Sequence, residues 1–147
     1  MYSKWIRMAR KPEAVFSDWI REGLINVDIT RVESRASLGF PDMVIVDKSG
    51  TGNVCFLENK VVQRGLKVDL RPHQVSFLFR HWKYGCRAFV LVKHLPVGKR
   101  VAMINLYSGG QVMDLLENGL RVDPIFRYPS NGMDWQQLTD TLLGLQN

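Results

Sequence analysis

The sequence predicts a mixed α/β domain, and three observations lead to this fold class. Two stretches with helical periodicity are each opened by a proline and closed by a glycine. Short apolar segments with the alternation typical of strands lie between and after them. Residues 88–92 form a continuous apolar run, which is typical of a strand buried on both faces. The 147 residues suit a single domain, covering 1–147, with a sizeable core.

The first helix is predicted between Pro12 and Gly23, where apolar residues recur at a spacing that places them on one face. Residues 27–33 alternate as a strand does, and the apolar segment 43–46 forms a second strand after the bend at Pro41. The turn at 48–53 contains two glycines, so we expect the strand 54–60 to pair with 43–46 as a hairpin.

The second half of the chain follows the same logic. Pro72 opens a helix that Gly85 closes, and strands are predicted at 88–92 and 101–107. Short helices at 111–117 and 135–143 are separated by a loop that contains Pro124, Pro129 and Gly132. The predicted order is therefore helix, three strands, helix, two strands and terminal helical pieces.

The composition argues against a disordered protein, a membrane-spanning protein and a secreted protein. Hydrophobic residues make up 46% of the chain and aromatic residues 10%, which argues against disorder. No apolar run approaches the roughly 20 residues that span a bilayer, and residues 1–11 lack the apolar stretch of a signal sequence. We therefore expect a cytoplasmic protein with no membrane contact, in which Cys55 and Cys86 are reduced, buried thiols, with a disulfide between them as the alternative.

The positive charge is concentrated in the first two thirds of the chain. The net charge is +6, but residues 1–100 hold 18 Lys and Arg against 9 Asp and Glu, whereas residues 101–147 hold 2 against 5. A basic region joined to a mildly acidic one is typical of a polyanion-binding face with a structural or interface segment behind it.

Three short stretches carry the predicted chemistry: 39–42 (Gly-Phe-Pro-Asp), 57–60 (Leu-Glu-Asn-Lys) and 69–74 (Asp-Leu-Arg-Pro-His-Gln). Residues two apart on a strand point the same way, so Glu58 and Lys60 share a face. Antiparallel pairing of the hairpin brings Asp42 to the same end of the sheet. Two acids and a lysine packed together are costly unless a cation compensates, and Mg²⁺ accepts one or two protein carboxylates while keeping several waters.

These stretches resemble the PD-(D/E)xK nuclease arrangement. The Asp-x-x-x-x-Gln that opens the next helix is similar to the VRR-NUC branch of that superfamily, and the core also resembles the archaeal-type Holliday junction resolvases. The resemblance covers about residues 12–93, which leaves 95–147 as an accessory strand and helices. No Val-Arg-Arg tripeptide occurs in the chain.

The resemblance implies a restriction-endonuclease-like mixed sheet flanked by helices and a DNA endonuclease that depends on Mg²⁺, with Mn²⁺ as a substitute. It implies Asp42 and Glu58 as metal ligands and Lys60 beside the attacking water. Gln74 matches the helix glutamine that lies near the active centre in the family. An additional acid often comes from the first helix, which fits Glu13, although Glu13 could simply complement the helix dipole. Glu33 is the competing acid.

Basic side chains near these motifs are candidates for contacts with the DNA backbone. One set follows the Glu-x-Lys strand and the other lies at the N-terminus; together they are Arg64, Lys67, Arg71, Lys4, Arg7, Arg10 and Lys11. The histidines at 73, 81 and 94 have no metal-ligand spacing, so we interpret them as surface or packing residues.

The leading hypothesis is a structure-selective endonuclease that acts on branched DNA, in phage DNA processing for example. The alternatives are a non-selective or nicking nuclease for DNA degradation or restriction, and a non-catalytic DNA-binding protein on the same fold. Symmetric cleavage of a junction needs two active sites related by a twofold axis. We therefore expect a homodimer with part of 95–147 in its interface.

Overall fold

The structure is a computed structural model that describes residues 10–32 and 38–145. Helix α1 (Pro12–Gly23) leads into strands β1 (Val27–Arg31), β2 (Met43–Asp47) and β3 (Val54–Val62), followed by α2 (Pro72–Lys83) and β4 (Arg87–His94). The chain continues with β5 (Met103–Ser108), α3 (Val112–Asn118), β6 (Phe126–Pro129) and α4 (Trp135–Leu143), with single 3-10 turns at Gly109–Gln111 and Gly119–Arg121.

One six-stranded mixed sheet organises the fold, and its strands lie in sequence order from β1 to β6. All neighbouring strands are antiparallel except β3 and β4, which are parallel and joined through α2. The start of β2, the ends of β3 and β4 and the start of β5 therefore meet at one end of the sheet. We call this the carboxyl end, because β3 and β4 finish there.

Helices cover both faces of the sheet. On one face α1 and α4 bury Phe16, Ile20, Leu138 and Leu142 against the strands. On the other face α2 and α3 contribute a second apolar cluster that includes Leu78. Burial of this apolar surface is the main source of stability for such a layered domain.

The predicted fold class is confirmed, since the molecule is a mixed α/β sheet flanked by helices. The predicted hairpin forms with Ile45 opposite Cys55. Strand β4 is buried from Ala88 to Val92, as its continuous apolar run predicts. Burial raises the pKa of the Cys55 thiol to about 12, and both cysteines are free thiols, although Cys86 is only half-buried.

One strand was not predicted. The segment that we expected to be a loop contains β6, which pairs with β5 at the edge of the sheet. Its short alternation of Phe126, Arg127 and Tyr128 is masked by the flanking prolines. Pro129 is tolerated because it closes an edge strand, where one side of the backbone has no ladder partner.

The hairpin turn at the opposite end from the carboxyl end is held by a single acid. Asp47 accepts hydrogen bonds from the Ser49 backbone N–H (3.0 Å) and from the hydroxyls of Ser49 and Thr51 (2.5 Å each). These donors hold the pKa of Asp47 at about 2. The turn also requires glycines at 50 and 52, which have φ of 102° and 76°.

Within the part of the chain that the structure describes, no helix combines the length and the apolar character needed to cross a membrane.

Candidate active site

The hairpin register builds the site. Met43 pairs with Leu57, which places the preceding residue, Asp42, across from Glu58 at the carboxyl end of the sheet. The two carboxyl groups are close enough that each perturbs the pKa of the other. Lys60 lies on the same face of β3, and its Nζ is 3.5 Å from Glu58 Oε2. The structure thus brings the acid-acid-lysine set together as the strand pattern predicts.

Glu58 is the most buried acid of the site, with 2% of its surface exposed. One carboxylate oxygen, Oε2, contacts Lys60 and accepts a hydrogen bond, while the other, Oε1, is buried without a hydrogen-bond partner. Burial, reinforced by the charge of Asp42, raises the pKa of Glu58 to about 8 against the opposing effect of Lys60. A carboxylate oxygen in this environment is satisfied either by a proton or by a cation.

Gln74 connects the start of α2 to Glu58. Its Nε2 donates to Glu58 Oε2 at 2.9 Å, and its Oε1 accepts from the Arg71 backbone N–H at 3.0 Å. Because the amide oxygen serves the N-terminus of the helix, the amide nitrogen must point at the acid. Gln74 therefore positions the carboxylate as well as capping the helix.

Asn59 is a site residue that the sequence analysis missed. Its backbone N–H donates to Asp42 Oδ2 at 2.8 Å, and its fully buried side chain donates to Ser17 Oγ on α1 at 3.0 Å. It thus fixes one acid directly and ties the sheet to the helix that carries Glu13. The sequence contains a signal for this role, because Asn59 is a polar residue on the same face of β3 as Cys55 and Leu57, which lie in the apolar core.

Glu13 lies at the rim of this site. The residue is exposed as a whole, but partial burial of its carboxyl group, with the charges of Asp42 and Asp69, raises its pKa against the effect of Lys60. A cavity of about 170 Å³ lies between Glu13, Ser17, Arg31 and Asp42. The competing acid, Glu33, lies outside the described residues.

Asp42 is half-buried, and burial raises its pKa while the Asn59 N–H and the charges of Lys60 and Arg31 act in the opposite direction. Arg31 therefore brings a positive charge close to the site, although its guanidinium also bonds Asp18 Oδ1 at 2.6 Å. Sequence reasoning did not select Arg31, because its position near Asp42 depends on the pairing of β1 with β2.

The donor set fits a hard divalent cation with few protein ligands. Within residues 10–32 and 38–145, no group of three or more His, Cys, Asp or Glu is arranged to hold a metal. Two neighbouring carboxylates, one with an unsatisfied buried oxygen, match Mg²⁺, which takes one or two protein carboxylates and fills its other positions with water and phosphate. Asp42 and Glu58 are the residues that could hold the ion, with Glu13 at its edge.

The predicted DNA-contacting residues fall into three groups. Arg64, Lys67 and Arg71 are exposed and lie on the connector that leaves the carboxyl end. Lys11 is exposed beside Glu13, whereas Arg10 forms an ion pair with Asp18. Lys4 and Arg7 lie outside the described residues.

The sequence predicts that the histidines are surface or packing residues. His81 is a packing residue, since its ring stacks on the ring of Phe77 with 3.8 Å between the two centroids.

Comparison with known proteins gave no matching family model and no matching curated protein. Among solved structures, the chain is similar to the Holliday junction resolvase Hjc of Archaeoglobus fulgidus, a hyperthermophilic archaeon. The identity is 16%, the overlap covers 86% of this chain and 96% of that one, and the TM-score is 0.49. This likeness is too low to assign a family.

Proposed function

We propose that this protein is a nuclease that hydrolyses DNA phosphodiester bonds with the help of a divalent cation. The observation that carries the proposal is the environment of Glu58. This buried acid lies beside a second acid and a lysine and has an unsatisfied oxygen. A purely structural site would gain stability from an apolar residue there, whereas metal-assisted hydrolysis needs this set.

Each residue of the set has a separate task. Asp42 and Glu58 would hold Mg²⁺, which when bound lowers the pKa of a coordinated water and neutralises charge that develops on the phosphate. Lys60, whose side chain is 8% exposed and lies 3.5 Å from Glu58 Oε2, would orient the attacking water or stabilise the pentacovalent phosphate. Gln74 and Asn59 keep the two acids in place through the 2.9 Å and 2.8 Å hydrogen bonds described above.

The surroundings of the site favour a polyanionic substrate. Arg64, Lys67 and Arg71 extend from the connector just after β3. None of the three is in an ion pair with another described residue, so their charges are available to phosphates. Because such contacts read the backbone rather than base edges, the chain suits recognition of DNA shape. The substrate that we propose is therefore branched DNA.

A cleavage assay tests this function. The wild-type protein is incubated with a four-way junction, a flap, a linear duplex and a single strand of matched sequence, each with Mg²⁺, Mn²⁺ or EDTA. We expect cleavage that requires the cation and is fastest on the branched substrates. The Glu58→Gln variant serves as the inactive control, because its amide keeps the shape of the side chain but is a poor metal ligand.

The other hypotheses give different results in the same assay. Equal cleavage of all the duplex substrates would identify a non-selective or nicking nuclease. Tight binding without cleavage under any cation would contradict the enzyme and identify a DNA-binding protein on the same fold.

A further inference from the structure

The loop between β4 and β5 emerges at the same end of the sheet as the candidate active site. Lys60 pairs with Val92 in the sheet, and two residues later Val62 pairs with His94, the last residue of β4. The loop 95–102 then returns the chain to Met103 of β5. It therefore stands next to the end of β3, on the side away from Asp42.

A tight turn fixes the tip of this loop. The Lys99 N–H donates to the Pro96 carbonyl at 3.0 Å, and Gly98 has a φ of 75°, which is the geometry of a turn with a left-handed third residue. Val97 occupies the corner of that turn and is 96% exposed, and Leu95 beside it is 47% exposed. The backbone thus holds an apolar side chain out in solvent, where it has nothing to pack against.

Cations follow the apolar corner directly. Lys99 and Arg100 are exposed, and neither forms an ion pair within the described parts of the chain. A single exposed apolar side chain needs no explanation by itself. An apolar corner held by a turn, flanked by free cations and placed beside a nuclease site, combines the two features by which proteins open a base step while gripping the phosphates next to it.

We propose that the loop 95–100 is a second DNA-contacting element, in which Val97 inserts against unstacked bases at a branch point while Lys99 and Arg100 bind the adjoining phosphates. This inference deepens the proposed function, on which it rests, by naming the element that distinguishes branched from linear DNA. A regular duplex offers the loop its phosphates only, whereas a branch point also offers exposed base surface.

Equilibrium binding separates the two parts of the loop. Fluorescence anisotropy in EDTA, which prevents cleavage, measures the affinity of the wild type, Val97→Ser and the double variant Lys99→Gln/Arg100→Gln for a four-way junction and a linear duplex. A salt series gives the slope of log K against log salt. The matched control is Lys48→Gln/Lys83→Gln, which removes two exposed charges from the opposite end of the molecule.

We expect Val97→Ser to lose at least about fivefold in junction affinity with duplex affinity and salt slope unchanged, since it removes contact with bases only. The double loop variant should weaken binding to both DNAs and reduce the salt slope by about 1 for each lost phosphate contact. The control pair should leave the junction-to-duplex ratio as in the wild type. 2-Aminopurine at the branch point should report unstacking that Val97→Ser abolishes.

If Val97→Ser leaves both the junction affinity and the 2-aminopurine fluorescence unchanged, the insertion of Val97 against bases is overturned. If the double variant leaves the salt slope unchanged, the phosphate contacts of Lys99 and Arg100 are overturned. These failures are distinct from failure of the proposed function. If the wild type cuts DNA but the loop variants bind as it does, only the loop assignment falls. If the wild type never cuts but the loop effects appear, only the nuclease assignment falls.

Discussion

The side-chain amide of Gln74 donates to Glu58 Oε2 across 2.9 Å while its own oxygen is occupied by the Arg71 backbone N–H. The start of α2 and the reactive end of β3 are therefore connected through one side chain. A helix that usually supplies only packing thus determines where a candidate metal ligand points.

Replacing Gln74 with methionine should lower turnover while leaving DNA affinity unchanged. The variant keeps the volume but removes the donor from Glu58 Oε2, which then keeps only its 3.5 Å contact with Lys60. The loss of this hydrogen bond should cost about 1 kcal/mol of stability. Single-turnover cleavage and urea unfolding measure the two effects. Gln63→Met, on the exposed connector, is the control, and wild-type turnover in Gln74→Met would contradict the positioning role.

Lys60→Met should abolish cleavage and leave DNA binding close to that of the wild type. Methionine fills the space of the lysine stem, but it carries no charge to orient a water or stabilise the phosphate. Lys67→Met, which removes an exposed charge from the connector, should weaken binding slightly and still cut. Cleavage by Lys60→Met at the wild-type rate would remove Lys60 from the chemistry.

The stability of the metal-free protein should fall as pH rises from about 5 to 9. The folded-state pKa of Glu58, about 8, lies above its ordinary value of 4.5, so the folded state binds more protons between these values. The stabilisation of the folded state that protonated Glu58 contributes is complete below pH 4.5 and is lost as the pH rises through about 8. Urea unfolding in EDTA should show a smaller loss for Glu58→Gln, and identical pH profiles would contradict the assignment.

Asp42→Asn and Glu58→Gln should each weaken Mg²⁺ binding and abolish cleavage. Both amides keep the hydrogen-bonding shape of the acid but remove its charge, which a hard cation requires. Titration calorimetry on the free protein measures the binding without reference to activity. Asp28→Asn, which changes an exposed acid on β1, is the control. A variant that binds Mg²⁺ as tightly as the wild type would show that its acid is not a ligand.

Replacing Arg64, Lys67 and Arg71 together with glutamine should flatten the salt dependence of DNA binding. Each phosphate contact contributes about 0.9 to the slope of log K against log salt, so the loss of all three should reduce the slope by about 2.7. The Arg71 backbone N–H that serves Gln74 is retained. An unchanged slope would move the DNA surface elsewhere, either to the N-terminal residues or to the loop 95–100.

The homodimer remains a prediction, and the fold reduces the surface that could form it. Apolar side chains of 95–147 such as Ile104 and Leu142 are fully buried in the core, so they are not available to an interface. On α3, however, Met113 and Leu116 are 55% and 41% exposed. We expect the interface to include this helix. A monomer by light scattering, both free and bound to a junction, would remove the dimer and leave the nicking nuclease.

The elements that local patterns define could be predicted from the sequence. Proline and glycine bracket α1 and α2, and the alternation on β3 correctly places Glu58 and Lys60 on one face. The hairpin turn then gives the register that brings Asp42 opposite Glu58. These predictions succeed because each depends on a few neighbouring residues.

Features that depend on pairing between distant parts of the chain could not be predicted from the sequence. Strand β6 alternates over only three residues between two prolines, so its pairing with β5 is what identifies it as a strand. The roles of Asn59 and Arg31 depend on contacts with α1 and β2, and the loop 95–100 reaches the site end because β4 runs parallel to β3. Such tertiary relationships leave little trace in a single sequence.

The turn around Asp47 affects the candidate active site, although it lies at the opposite end of the sheet. Asp42 and Glu58 meet only in one alignment of β2 with β3, because a slip by one residue would turn the Glu58 side chain from the face covered by α2 to the face covered by α1 and α4. The hydrogen bonds of Asp47 to Ser49 and Thr51 fix the length of the turn that sets this alignment. The far turn therefore couples correct folding to activity, because only a chain that closes this turn correctly acquires a reactive centre.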